Sequence, residues 1–114
     1  MATSSKQGIP NVVPIGFLWV ENGEIYVVDN YLNKTLANIR ENPVAAVYAL
    51  GGKDGKECIQ VKGKAVYEDS GPLYEAARAK AKAKNDKYPA KGLLRIIPEH
   101  VYNTSPGPDA GKEF

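Results

Sequence analysis

Two hydrophobic runs near the start of the chain are separated by the dipeptide Asn22-Gly23. The runs Val12–Val20 and Glu24–Asn30 are rich in β-branched and aromatic residues, which favour strands. An Asn-Gly pair between two such runs is typical of a tight hairpin turn, because both residues adopt positive φ readily. The pattern therefore predicts a hairpin, preceded by a short strand at Met1–Ser5 that pairs with the chain after Pro10.

The first strand of this hairpin contains two residues that strands tolerate poorly, Pro14 and Gly16. Val12–Val20 is apolar at successive positions, which indicates a strand covered on both faces, in the sheet centre or at an interface. Proline has no backbone N–H to donate to a neighbouring strand, and glycine has no side chain. Together they leave space above this strand. The pair predicts either a corner of a barrel or a place where a flat ligand lies over the backbone, and the pattern leaves both open.

Three more strands follow later in the chain. Val44–Leu50 is a continuous apolar run, and Glu57–Glu68 alternates between apolar and polar residues. The last run, Gly92–Ile97, is predicted to break or bulge at Pro98-Glu99-His100 and to resume at Val101-Tyr102. The alternation predicts a half-exposed antiparallel strand, in which Gly63 allows the bend that a barrel needs.

The first of two helices is predicted at Lys34–Asn42, where Pro43 stops it. Leu32, Leu36 and Ile39 recur at helical spacing and form one apolar stripe. We interpret the preceding polar residues in two ways. Either Asn33 caps the helix, or a strand end and a helix N-terminus together bind an anion.

The second helix is predicted to begin at Pro72, with Asp69 or Ser70 as its cap, and to fray near Asn85. Its apolar stripe is thin, so we expect it to pack on the outside of the sheet. The lysines between Lys80 and Lys91 are typical of a solvated face, although a nucleic-acid surface is an alternative.

Few, mostly antiparallel strands with short links predict a mainly β fold, a small barrel in one domain, 1–114, with an extended C-terminal tail at 105–114. The tail is expected to be disordered or pinned against a partner. A barrel this small has little interior space. Any ligand would then lie outside the wall, where two subunits meet.

Composition narrows the class of protein. The 114 residues are 43% hydrophobic and 25% charged, with a net charge of +2. That charge is too small to indicate nucleic acid or an anionic membrane as a partner. One cysteine, Cys58, permits no disulfide within the chain, and with no membrane span or signal peptide pattern we expect a cytoplasmic protein. We interpret Cys58 as a structural thiol, and a single histidine, His100, makes a zinc site improbable.

Four segments, taken in order, resemble the pyridoxamine 5′-phosphate oxidase-like FMN-binding split barrels. They are Pro10-Asn11-Val12-Val13-Pro14-Ile15-Gly16-Phe17, Val28-Asp29-Asn30-Tyr31-Leu32-Asn33-Lys34-Thr35, Asn38-Ile39-Arg40-Glu41-Asn42-Pro43 with the strand that follows, and Tyr102-Asn103-Thr104-Ser105-Pro106-Gly107-Pro108-Asp109-Ala110-Gly111-Lys112. The resemblance implies a six-stranded antiparallel split β-barrel with two peripheral helices. It also implies a homodimer with FMN at the subunit interface.

The resemblance further implies which residues hold the cofactor. The isoalloxazine would lie along Val13, Pro14, Ile15 and Gly16, with Val28, Asp29 and Asn30 on the flavin and ribityl side. The phosphate would be held by Asn33, Lys34 and Thr35, and Gln60 would reach the cofactor from the other subunit.

The reaction is less defined than the cofactor. Oxidases that act on pyridoxamine phosphate carry an arginine near the position of Val13, and it is absent here, so the resemblance does not extend to that substrate. No acid–base pair is evident, and Asp29 is the one carboxylate near the expected ring. We therefore expect an FMN-dependent oxidoreductase with an unknown small-molecule or redox partner. A non-catalytic FMN-binding or electron-carrier protein, and a deazaflavin- or haem-binding barrel, are the alternatives.

Overall fold

The computed structural model describes all residues from Met1 to Phe114 and contains one antiparallel sheet with two helices. Its strands are β1 (Ala2–Ser4), β2 (Pro10–Val12), β3 (Leu18–Glu21), β4 (Glu24–Asp29), β5 (Val44–Gly51), β6 (Glu57–Glu68) and β7 (Gly92–Asn103). The helices are α1 (Asn33–Glu41) and α2 (Pro72–Lys84). The mainly β fold with two helices is therefore confirmed.

The sheet has seven strands in the order β2-β1-β5-β6-β7-β4-β3, and it is open. The expected count of six is thus one too low, because the predicted strand Val12–Val20 is broken. Pro14 has no N–H for a ladder, and the chain leaves the sheet after Val12 and re-enters it at Leu18. The short first strand is confirmed, since Ala2–Ser4 pairs with Pro10–Val12.

The predicted hairpin is confirmed between β3 and β4. Asn22 and Gly23 have φ of 52° and 73°, as a two-residue turn of this hand requires. β4 then lies between β3 and β7, and both of its faces are buried. Ile25 and Val27 face one hydrophobic core, whereas Tyr26 and Val28 face another.

A bulge bends the two longest strands. The pairing of β6 with β7 shifts register between Lys62 and Gly63, opposite Pro98. A Cβ on Gly63 would lie 2.0 Å from the carbonyl oxygen of Ile97, so only glycine allows the strands to approach this closely. The predicted bend at Gly63 is confirmed, and of the two outcomes predicted at Pro98 the bulge is confirmed and the break is wrong, because β7 runs unbroken from Gly92 to Asn103.

The helices cover the two faces of the sheet. Leu32 and Ile39 of the predicted stripe are buried in the larger core. Ala77 and Ala81 of α2 are buried in the smaller core. The predicted caps of α2 are wrong: Gly71 precedes the helix and no side chain caps it, while Pro72 takes the first helical position as expected.

The C-terminal residues fold back onto their own chain, so the expectation of an extended or disordered tail is corrected, while its contact with a partner stays a prediction. The Ser105 hydroxyl accepts a hydrogen bond from the backbone N–H of Cys58, and Phe114 N–H donates to the carbonyl of Val101. Cys58 is buried, as expected of a structural thiol, and its sulfur accepts a hydrogen bond from the Tyr48 hydroxyl. Neither helix is long and apolar enough to cross a membrane.

Candidate functional site

The break between β2 and β3 opens a cleft of about 480 Å³ against the end of β4. One wall is the irregular segment around Pro14, and the opposite wall is β4 with the turn that follows it. The residues that line the cleft are Val13, Pro14, Ile15, Gly16, Phe17, Val27, Val28, Asn30, Tyr31, Leu32 and Tyr88.

The structure brings together most of the residues expected beside a flavin ring. Val13–Gly16, Val28 and Asn30 all line this cleft. The two interpretations of Pro14 and Gly16, a corner or a ligand surface, are compatible, since the chain turns out of the sheet here and the turn forms the cleft wall. A Cβ on Gly16 would have no atom within 4 Å, so the space beside this residue is open.

The cleft ends at Leu32, and α1 begins at the next residue. The alternative in which Asn33 caps the helix is wrong, because Asn33 is the first helical residue and no side chain caps the N-terminus. The backbone N–H groups of Asn33, Lys34 and Thr35 have no protein acceptor. With the exposed Lys34 ammonium beside them, they form a positive end suited to an anion.

Thr35 differs from its two neighbours because its side chain is buried. Its Oγ1 accepts a hydrogen bond of 3.1 Å from Nδ2 of Asn11, which connects α1 to β2. Its hydroxyl proton has no acceptor in the protein and remains able to donate.

Asp29 does not line the cleft; its carboxylate is fully buried behind it. Its Oδ1 accepts from Leu32 N–H at 3.0 Å and its Oδ2 accepts from the Tyr67 hydroxyl at 2.6 Å. Burial, and next this hydrogen bond, raise the pKa of the Tyr67 hydroxyl above its ordinary value. Asp29 therefore fixes the turn between β4 and α1.

Asn30, the next residue, combines a structural bond with a place in the cleft. Its Oδ1 accepts a hydrogen bond of 3.0 Å from Ala90 N–H, in the loop between α2 and β7. This bond holds that loop against the cleft, and Tyr88 enters the cleft from the same loop.

Three aromatic residues of the cleft, Phe17, Tyr31 and Tyr88, are absent from the sequence-based site. The rings of Phe17 and Tyr88 are stacked with centroids 6.4 Å apart and planes inclined by 25°. Tyr88 is 71 residues further along the chain, in a loop without periodic pattern. Only the packing of α2 brings Tyr88 to the cleft. Phe17 could have been predicted from the sequence, because it directly follows Gly16.

Gln60 lies on β6, away from the cleft. Its neighbours across the ladder are Tyr48 of β5 and Tyr102 of β7. The side chains of these three residues share the outer face of the sheet, and the cleft of the same subunit does not include them.

The histidine, cysteine and carboxylate side chains form no metal-binding cluster. No group of three or more histidine, cysteine, aspartate or glutamate side chains could hold a metal ion. His100 Nδ1 lies 2.7 Å from Glu113 Oε1 at the surface.

Comparison with known proteins identifies the group to which this fold and cleft belong. The model of the pyridoxamine 5′-phosphate oxidase family matches residues 1–105. The chain belongs to the pyridoxamine 5′-phosphate oxidase family. An uncharacterized protein of Methanocaldococcus jannaschii is 40% identical over 98% of this chain and 76% of its own length.

Solved structures share the fold of this pyridoxamine 5′-phosphate oxidase family member. HupZ of Group A Streptococcus superposes with a TM-score of 0.80 at 23% identity, over 96% of this chain and 86% of its own. An FMN-binding protein of Syntrophomonas wolfei superposes with a TM-score of 0.72 at 17% identity, over 91% and 74%. An F420 reductase superposes with a TM-score of 0.68 at 16% identity, over 88% of this chain and 84% of its own. The haem storage protein HutZ of Vibrio cholerae superposes with a TM-score of 0.69 at 16% identity, over 91% of this chain and 84% of its own.

Proposed function

We propose that this protein binds FMN in the cleft and is an FMN-dependent oxidoreductase. The observation that carries the proposal is the position of the cleft, which ends where α1 begins with three unpaired backbone N–H groups and Lys34. A flat apolar ring with a phosphate at the end of a chain matches a largely apolar cleft that ends at a helix N-terminus.

The residues present fit FMN from ring to phosphate. The ring would lie along Val13–Gly16, with the open space at Gly16 giving its edge room. The ribityl chain would pass Val28 and Asn30, and the phosphate would take the free N–H groups of Asn33, Lys34 and Thr35 together with the Lys34 ammonium. We leave Asp29 out of direct contact, because both carboxylate oxygens are already bonded.

Bound FMN would supply the transfer of electrons between a donor and an acceptor. The task of this chain is then to orient the ring and to shield it from water. The cleft contains no aspartate, glutamate, lysine or histidine, and its titratable side chains are the two tyrosines Tyr31 and Tyr88, so it offers no carboxylate or imidazole as a general base. This favours a flavin reductase or electron-transfer reaction over chemistry that needs a general base, and pyridoxamine phosphate is not the proposed substrate.

The proposal includes a cytoplasmic homodimer with FMN at the subunit interface. Gln60 supports it, because this half-buried amide is on a sheet face where Tyr48 and Leu50 of the neighbouring strand are 59% and 60% exposed. A second copy of the chain that covers this face would bring Gln60 to the cofactor of the partner.

Other members of this fold group are named for haem storage and for F420 reduction, so the cofactor must be tested. The cleft contains no histidine, cysteine or methionine, so only Tyr31 and Tyr88 could ligate a haem iron there, and this favours a flavin. The absorption spectrum of the protein as purified separates FMN, deazaflavin and haem. If NADH and NADPH both fail to reduce bound FMN, the non-catalytic binding or carrier role is favoured over a reductase.

The binding site itself is tested by Lys34→Ala. Loss of one charged hydrogen bond to the phosphate should weaken FMN binding by about 1–3 kcal/mol, measured as quenching of FMN fluorescence. Lys53→Ala, which removes a lysine from the exposed loop between β5 and β6, is the control and should not change the affinity. Equal affinities of the wild type and Lys34→Ala would remove Lys34 from the site, and a wild type that binds no FMN would end the proposal.

A further inference from the structure

Two lysines of α2 lie on aromatic rings of β3 and of the segment before it. The Lys80 ammonium is 4.2 Å from the centroid of the Trp19 ring, and the Lys84 ammonium is 4.7 Å from that of Phe17. Because an ammonium over a ring face is held by the ring quadrupole, both charges have defined positions. We call these four residues the lysine rim.

The lysine rim is continuous with the cleft. Phe17 is part of both, and its ring contacts the Trp19 ring with centroids 5.4 Å apart and the Tyr88 ring on the cleft side. A molecule that enters the cleft past Phe17 and Tyr88 therefore passes the ammonium of Lys84. At four residues apart on a helix, Lys80 and Lys84 share one flank of α2, while Arg78 and Lys82 share a flank on the opposite side.

One carboxylate borders the rim, since Trp19 Nε1 donates a hydrogen bond of 3.0 Å to Glu21 Oε2, but no salt bridge joins a carboxylate to Lys80 or Lys84. Residues 72–91 carry six basic and two acidic side chains, a local net charge of +4 against +2 for the whole chain. None of the six basic residues forms a salt bridge; those of the structure involve Lys56, Arg95, His100 and Lys112. Two fixed, unpaired cations beside an aromatic entrance are complementary to an anion that carries an attached ring or chain.

We propose that the lysine rim binds the phosphate or carboxylate group of a small anionic second substrate, whose remaining part extends past Phe17 into the cleft. This assignment rests on the proposed function, because the anion is a second substrate only if FMN occupies the cleft. A small molecule fits better than an acidic protein, because the fixed cations are two in number, lie on one flank and border a single entrance.

The test uses the full chain loaded with FMN, with ADP as the phosphate probe and citrate as the carboxylate probe. Trp19 is the single tryptophan of the chain and lies under Lys80, so its emission reports directly on the rim. Calorimetry on the same samples gives the dissociation constants independently of any quenching by flavin. The variant is K80Q/K84Q, and the matched control R78Q/K82Q removes the same charge from the opposite flank of the same helix.

We expect saturable binding of at least one probe to the wild type. The dissociation constant should rise about 10-fold or more in K80Q/K84Q, from the loss of two charged contacts, and less than about 2-fold in R78Q/K82Q. The probe that binds identifies phosphate or carboxylate as the recognised group. Thermal unfolding midpoints of both variants show that they are folded.

Two results would overturn the assignment: no saturable binding of either probe to the wild type, or equal weakening in both double variants, which would indicate bulk charge. Failure of the proposed function is a separate outcome, seen as absence of FMN binding to the wild type. The same titrations on the flavin-free chain still decide whether the rim recognises anions.

Discussion

At the scale of single residues, Gly16 is the position where stability and ligand binding are most clearly separable. A Cβ there meets no protein atom within 4 Å, and Gly16 is not among the glycines with positive φ. A glycine that neither packing nor backbone conformation requires is unusual in the wall of a cleft. Its small size is therefore explained best by what the cleft binds.

Gly16→Ala should consequently weaken FMN binding while leaving the fold intact. We expect the free energy of unfolding to stay equal or to rise by up to about 1 kcal/mol, because alanine reduces the entropy of the unfolded chain. The affinity for FMN should fall about 10-fold or more as the added methyl group meets the ring. Denaturant unfolding and FMN fluorescence measure the two quantities on one preparation.

Gly63→Ala is the matched control for Gly16→Ala, with the opposite expectation. Its added Cβ would collide with the carbonyl of Ile97, so it should destabilise the protein by roughly 1–3 kcal/mol through backbone displacement at the bulge. If Gly16→Ala binds FMN as tightly as the wild type, the ring does not lie against Gly16.

At the scale of elements, the buried Asp29 carboxylate holds three of them together. It accepts hydrogen bonds from the residue that precedes α1 and from Tyr67 of β6, while Asp29 itself ends β4. The three free N–H groups of α1 are thereby held at the end of the cleft. The geometry of the proposed phosphate site depends on a carboxylate that does not touch the phosphate.

Tyr67→Phe should lower the free energy of unfolding by about 1–2 kcal/mol near neutral pH, because Asp29 loses a buried donor. Since the pKa of Tyr67 in the folded protein is raised above its ordinary value of 10.0, the unfolded chain loses this proton at lower pH than the folded chain. The contribution is therefore complete below pH 10 and declines as pH rises through the folded pKa. Urea unfolding between pH 7 and pH 11 measures it.

The wild type and Tyr67→Phe should therefore become closer in stability above pH 10. Tyr102→Phe is the control, because the Tyr102 hydroxyl has no protein acceptor in the structure, and it should change stability by less than about 0.5 kcal/mol. A difference between wild type and Tyr67→Phe that stayed constant up to pH 11 would contradict the assigned role of the hydroxyl proton.

Local signals were sufficient to predict much of the fold. The Asn22-Gly23 turn, the alternation along Glu57–Glu68 and the apolar stripe of α1 were each read from adjacent residues and are confirmed. The break in Val12–Val20 was not predicted, because the apolar run continues through Pro14 and Gly16 even though both residues disfavour a strand. Such residues predict a bend, a bulge or an edge position equally well, and only pairing with neighbouring strands decides which of these forms.

The site was predictable where the chain itself brings residues together. Val13–Gly16 and the turn after β4 are formed by consecutive residues, and both border the cleft. The burial of Asp29 and the arrival of Tyr88 depend on β6 and α2, so no local pattern contains them. Likewise, the sequence pattern of Lys80 and Lys84 is that of an ordinary solvated helix face. Their positions over the rings of Trp19 and Phe17 depend on how α2 packs against the sheet.

At the scale of the whole molecule, β5 presents three large exposed hydrophobic side chains to solvent. Val44, Tyr48 and Leu50 alternate along this strand and are 45%, 59% and 60% exposed. Alternation places them on one face, next to Gln60 of β6. An apolar face of this kind, on a strand inside the sheet, is typical of a surface that a second chain covers.

We expect the wild type to have twice its monomer mass of 12.4 kDa in solution, and Leu50→Glu to be monomeric, because a buried unpaired carboxylate at the interface is costly. Light scattering coupled to size exclusion measures the mass. Val20→Glu is the matched control, since Val20 is 70% exposed on the edge strand β3 and is not part of this face. It should leave the mass unchanged.

The same variants decide whether the interface completes the FMN site. If Gln60 contacts the cofactor of the partner, Leu50→Glu should lose FMN affinity together with the dimer. Gln60→Ala should keep the dimer and weaken FMN binding by about 0.5–1.5 kcal/mol, as for one neutral hydrogen bond. A monomeric Leu50→Glu that binds FMN with wild-type affinity would show instead that each cleft is complete within one chain.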